Sequence, residues 1–130
     1  MDRNLLRTSV VSAADLSAKD GYVVDFAGAI ITSKGTGCLG VVSKGRPAGV
    51  ASEVVYGGET EAYVEGAVAV NDPLTAGGGT VTDTEGATIT GTLQKAAYGD
   101  TALTTYYPVR AYAMEAISTT TVSKIKVFLV

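Results

Sequence analysis

Near the end of the chain the apolar positions follow a period of two. In SKIKVFLV (residues 123–130), Ile125, Val127 and Leu129 share one parity, and Lys124, Lys126, Phe128 and Val130 share the other. Side chains alternate across a strand, so this segment reads as a half-buried strand with the first set in a core and the lysines in water. Phe128 and Val130 then emerge on the lysine face. A large apolar side chain on an outer face usually has a cover, and burying one contributes roughly 1.5–3 kcal/mol. Phe128 and Val130 are therefore expected at a contact with another subunit or beneath the N-terminal end of the chain.

From Gly21 onward the chain is rich in Val, Thr, Ala and Gly. β-Branched side chains suit a pleated surface, and glycines at short intervals punctuate the strands of a small sandwich or barrel. The pattern predicts strands over 21–31, 38–42, 51–58 and 59–70, with a Gly57-Gly58 turn between the last two. In the fourth segment Val64, Val68 and Val70 share a parity and are expected in the core. NDPLTAGGG (71–79) reads as a turn region, because Asp-Pro initiates turns and glycine supplies unusual backbone angles. Residues 80–93 read as a hairpin around Glu85-Gly86, AAYGD (96–100) as a turn, and 106–117 and 122–130 as the last strands. One conflict is visible: RAYAMEAI (110–117) is built largely from good helix formers, though its length is marginal for a helix.

Residues 1–20 lack a clean period. They read as an extended arm, with room for a helical turn near Ala13–Lys19, leaving 21–130 as an all-β barrel or sandwich body. Arg3, Leu5, Leu6 and Arg7 offer contact chemistry with no period to bury it locally, so the arm is expected to be mobile until it meets a partner or a neighbouring subunit.

Composition changes this picture mainly by exclusion. The 130 residues suit one domain. Hydrophobic residues at 46% and charged residues at 18% argue for a folded chain. No apolar run approaches the roughly 20 residues of a membrane helix, and no export leader or membrane partner is expected. The net charge of -3 and the scattered Lys and Arg make nucleic acid a poor partner. There is no histidine and only one cysteine, which removes an internal disulfide, His/Cys zinc sites and His-dependent nucleophilic catalysis. No cofactor and no enzymatic activity are expected.

The remaining motifs weaken on inspection. GTGCLG (35–40) matches a dinucleotide-loop pattern, but no helix-length segment follows it. AYAMEAIS has the Ala-Met of a biotin-carrying hairpin but Glu115 where the lysine belongs. Glu59 with Glu61, and Asp83 with Glu85, are carboxylate pairs of the kind a glycosidase needs, without a tryptophan platform. Asp20, Asp25, Asp72 and Glu65 are candidate Ca²⁺ oxygens but lack the dense alternation of a calcium loop. Cys38, in an apolar segment, reads as an inert thiol. Tyr106, Tyr107 and Tyr112 lie close together in the sequence; tyrosine is enriched at interfaces, and core packing at the ends of the sheets is an equal alternative.

Taken in order, LGVVSKGRPAG, AYVEGAVAVNDPLTAGGGTVT and VRAYAMEAIS…KIKVFLV resemble the small all-β capsid decoration, or cement, proteins of tailed bacteriophages. The similarity covers roughly residues 21–130. Departures are Asn71 at a turn glycine, which tolerates positive φ, and Thr119-Thr120-Thr121 before the last strand. The resemblance implies a strand rather than a helix over 109–117. It implies a structural role on the capsid exterior of a virion, the major capsid protein as partner, and a homo-oligomer, with a trimer favoured. The alternative from another class is a ligand- or glycan-binding β-barrel on a phage tail or cell surface, against which the lack of tryptophan counts.

Overall fold

One strand organises the molecule. In the computed structural model, which describes residues 6–32, 38–77, 81–82, 86, 88–96, 109–118 and 122–130, the segment Ala51–Glu65 is a single fifteen-residue strand. Among the described residues the elements run β1 (Leu6–Val11), β2 (Val23–Val24), β3 (Gly40–Lys44), β4 (Ala51–Glu65), β5 (Pro73–Ala76), β6 (Val81–Thr82), β7 (Thr88–Ile89), β8 (Leu93–Lys95), β9 (Ala111–Ala113) and β10 (Val122–Leu129). The fold is all-β, with no helix among the described residues.

The second half of β4 belongs to a closed five-stranded barrel. β4 pairs antiparallel with β10, β10 with β9, β9 with β5 and β5 with β8. A short parallel contact, Val64 to Leu93 and Glu65 to Gln94, returns from β8 to β4 and closes the ring. The first half of β4 leaves the barrel and carries β1 and β3, with β2 beyond β3. β6 and β7 form a separate two-stranded hairpin.

The expected turn at Gly57-Gly58 is therefore absent. Both glycines are absorbed into β4, Gly58 at φ 91, where the strand changes sheets. Gly57 is closely covered: a Cβ there would lie 2.8 Å from Leu6 Cδ1. Glycine within a strand often marks such a close approach or bend rather than a stop.

Three apolar clusters hold these pieces. The barrel interior contains Ala62, Val64, Leu74, Leu93, Ala111, Ala113, Ile125, Val127 and Leu129. A second cluster joins Leu16, Val24, Val42 and Val54, with Val10, Ile30 and Leu39 against it. A third gathers Tyr22, Ile89 and Val122. Each fully buried Leu or Val contributes about 1.5–3 kcal/mol.

Other expectations shift in physically readable ways. Val64 and Val68 are buried as expected, but Val70 is exposed. β4 ends at Glu65 and Gly66 turns at φ 85, so the alternation does not carry through to Val70. Asn71 adopts the positive φ expected of it, at 75°. The following PLTA is a barrel strand rather than part of the turn, with Pro73 at its first position, where a missing N–H is tolerated. The strand foreseen over 21–31 is two residues of β2, a tight turn, and a bridge between Val24 and Ile30. Asp25 makes that turn: its Oδ1 accepts from the amides of Ala27 and Ala29. Residues 13–19 contain a turn in which the Lys19 amide donates to the Leu16 carbonyl, with Ala18 at φ 59, and no helix. Across 110–117 the chain is extended at Ala111–Ala113, bends at Met114-Glu115 and bridges again from Ile117 to Val68. The hairpin of 80–93 is present as β6 and β7, with Gly86 at φ 86.

The N-terminal segment differs most from expectation. Leu6–Val11 is a strand with six register partners on β4, from Leu6 opposite Gly57 to Val11 opposite Ala51. Leu16 has no exposed surface at all, and the Ser12 hydroxyl donates to the Gly28 carbonyl. The signal missed was a weak period of two: Thr8 and Val10 are half-buried between exposed Arg7, Ser9 and Val11.

Candidate interaction surface

β10 places its side chains as its sequence dictates. Ile125, Val127 and Leu129 enter the barrel, while Lys124, Lys126, Phe128 and Val130 face outward. Phe128 keeps 48% of its surface exposed and Val130 64%.

β9 extends this face. Tyr112 is directly opposite Phe128 in the antiparallel register, and the Val130 amide donates to the Arg110 carbonyl at 3.1 Å. The Met114 amide donates to the Lys126 carbonyl at 3.0 Å. Tyr112 and Met114 are exposed at 42% and 40%. The outer flank of β9 and β10 thus presents four apolar side chains in neighbouring positions. Exposed hydrophobics scattered singly need no explanation, whereas a grouped set marks a contact surface. Sequence reasoning singled out Phe128, Val130 and Tyr112. It passed over Arg110 and Met114, although their even parity with Tyr112 carried the signal.

Charge frames the flank. Across β10, Phe128 faces Glu59 and Lys126 faces Glu61 on β4. Lys126 Nζ lies 3.9 Å from Glu59, and the Lys126 amide donates to Glu115 Oε1 at 2.6 Å. Lys124 sits over the Tyr63 ring, 5.4 Å from its centroid. At the opposite end, Arg110 lines a cavity of about 40 Å³ with Cys38, Leu39, Gly40, Tyr56, Leu129 and Val130. The Arg110 Nε is shielded from water and has no hydrogen-bond partner among the described residues. Burial pushes the Cys38 thiol up from its ordinary value, and the nearby Arg110 charge opposes that shift.

The remaining candidates are spread apart. Leu6 is exposed on β1, and Arg7 pairs with Glu53 at 3.5 Å across to β4. Arg3 and Leu5 lie outside the described residues, as do Asp83, Glu85, Tyr106 and Tyr107. Asp20 accepts from the Gly45 amide, Asp25 holds its turn, and Asp72 accepts from the Ala69 amide and pairs with Lys95 at 3.5 Å. These carboxylates serve separate turns, and among the described residues no group of three or more acids and cysteines could hold one ion. Besides the small Arg110 cavity, a groove of about 250 Å³ lies at Glu59, Thr60, Glu61 and Lys126, and one of about 280 Å³ at Thr60, Glu61 and Lys124 with Asp20 and Val42. All three fall below the roughly 300–1,000 Å³ typical of small-molecule pockets.

The chain matches no protein-family model and no curated protein.

Proposed function

We propose that this protein decorates and reinforces the head of a tailed bacteriophage. It binds the outer surface of the assembled capsid as a homo-oligomer, with the major capsid protein as partner, and performs no chemistry. It needs no cofactor and engages neither nucleic acid nor membrane. The observation that carries this reading is the grouped exposure of Tyr112, Met114, Phe128 and Val130 on a closed barrel. A barrel holds its outer side chains at little further cost in order, so a contact made by them loses little to the immobilisation that binding demands. The resemblance of the strand motifs to cement proteins supplies the nature of the partner.

The physical role follows from linkage. A protein that binds the assembled lattice and not free shell subunits stabilises the lattice by mass action. Repetition of a modest contact over many sites gives high avidity without any single strong contact. The test is co-sedimentation of the purified protein with undecorated phage heads. Saturable pelleting, together with increased resistance of the heads to heat or chelator, is the expected result. Protein that stays in the supernatant at every ratio of chain to shell subunit would refute the reading.

A further inference from the structure

The apolar flank does not stop at the barrel. Where β10 ends it meets the notch of about 40 Å³ whose lining joins Arg110, Leu129 and Val130 of the barrel to Cys38, Leu39 and Tyr56. Tyr56 belongs to the half of β4 that has left the barrel, and it is exposed like Val130. The two walls are fixed by backbone pairing: Val41 opposite Val55 on one side, Leu129 opposite Gly58 on the other. A Cβ on Gly40 would collide with the Val55 carbonyl, so glycine is what lets β3 lie this close to β4. Burial raises the Cys38 thiol, so the notch holds no thiolate at neutral pH. Around the flank three acids, Glu59, Glu61 and Glu115, stand among three bases, Arg110, Lys124 and Lys126. No excess of either sign selects a charged partner.

We propose that this notch anchors the flank to the shell by taking one small, uncharged apolar side chain from the capsid surface. The inference rests on the capsid reading and adds the chemistry of its contact. Size sets the class of side chain. A dry cavity that admits a benzene ring is near 150 Å³, so a notch of this volume takes a group of roughly one to three carbons and no ring. Most of the energy of a contact comes from a few groups seated in such a pocket, with weaker contacts around it that exclude water. Phe128, Tyr112 and Met114 supply those surrounding contacts, and the balanced charges form the polar rim. Because backbone pairing holds both walls, the notch exists before the partner arrives and little order is lost on binding. Contacts between copies of the chain are left to its other surfaces.

Cys38 allows the notch to be plugged chemically. The full chain is reacted to completion with N-ethylmaleimide, its fold is checked by circular dichroism, and its pelleting with undecorated phage heads is measured. The adduct places a ring in the notch and should weaken pelleting at least tenfold. Cys38→Ala should pellet as the untreated chain does, with or without the reagent. Tyr56→Ser removes one exposed wall without any reagent and should weaken pelleting several-fold, which keeps the test decisive if the adduct disturbs the fold. Pelleting of the untreated chain should hardly change between about 0.1 and 1 M salt, over which the screening length falls from about 10 to 3 Å. Undiminished pelleting of the folded adduct or of Tyr56→Ser overturns the notch and leaves the capsid reading intact. A steep loss with salt overturns the apolar occupant in favour of a charged one. A change in the sedimentation mass of the free adduct, with pelleting unaltered, assigns the notch to a contact between copies and overturns the proposal. An untreated chain that never pellets refutes the capsid reading and this inference with it.

Discussion

β1 and β10 pair with the same strand in the same orientation, yet they are held very differently. β10 occupies Gly58–Glu65 of β4 and is enclosed by β9 on its other side. β1 occupies Ala51–Gly57, and β4 is its only strand partner among the described residues. From Ile125 to Leu129 every second side chain of β10 is buried, and Val122 is buried as well, whereas no residue of β1 is fully buried. An edge strand has backbone groups on one side available for other pairing, and a barrel strand has none. Two strands with similar backbone bonding to β4 therefore differ in what their side chains add, and the difference separates a structural element from an adjustable one.

The strongest way to break the comparison is to charge the interior face of β10. Val127 has no exposed surface, and Val127→Asp leaves a carboxylate without a partner inside the barrel. The expected loss is on the order of 3–5 kcal/mol, a large share of a domain's stability. Urea unfolding followed by circular dichroism measures it. The same substitution at exposed Val11 of β1 should cost far less, and equal losses would erase the distinction.

Removing residues 1–11 sharpens the contrast. Hydrogen exchange should accelerate in Ala51–Gly57 of β4 while Gly58–Glu65 keeps its protection. Uniform acceleration along β4 would show that β1 supports the barrel as much as β10 does. The same truncation is expected to weaken pelleting with phage heads.

The alternation in β10 was legible because a charged residue or chain-end apolar residue stood at every outward position of a long regular strand. β1 was harder to read. Its buried side, Thr8 and Val10, is small and only half-covered, so the period hardly rises above its surroundings. β4 was split in the sequence reading because Gly57-Gly58 carries a turn signature whose outcome depends on Leu6 and on the change of sheet, both of which are tertiary facts. β5 was concealed by the Asp-Pro turn signal immediately before it. The site shows the same division: parity exposed Phe128 and Val130, but only the register between β9 and β10 brings Tyr112 and Arg110 beside them.

A smaller effect is expected at Cys38, which sits between the start of β3 and the end of β10. Its thiol is raised from an ordinary value of 9.0 by burial, against the lowering influence of Arg110. Below that value both folded and unfolded chains carry the proton. As pH rises through it, the unfolded chain ionises first, so stability falls on the alkaline side. Iodoacetamide should modify Cys38 more slowly in the folded protein than in urea, and Cys38→Ala should remove its share of the alkaline loss. Equal alkylation rates in both states would contradict this burial.

The smallest effect belongs to Arg7. Its contact with Glu53 is exposed to solvent, with the Arg7 side chain 52% accessible, and such pairs contribute about 0–1 kcal/mol. Arg7→Ala should barely move the urea midpoint. A larger shift would mean that β1 depends on this pair rather than on its backbone ladder and Val10.

The meeting of the two strands at the centre of β4 has a topological consequence. Leu129 is opposite Gly58 and Leu6 is opposite Gly57, and both strands run antiparallel to β4. Along β4 the chain therefore reads as a loop of string with its cut placed where one strand hands over to the next. The position of a cut in such a loop is a matter of connectivity more than of energy, provided that a short tether bridges it. A permuted chain that tethers Leu129 to Leu6 and opens instead at the exposed Pro47–Gly49 turn is expected to keep the ladders of β1 and β10 on β4.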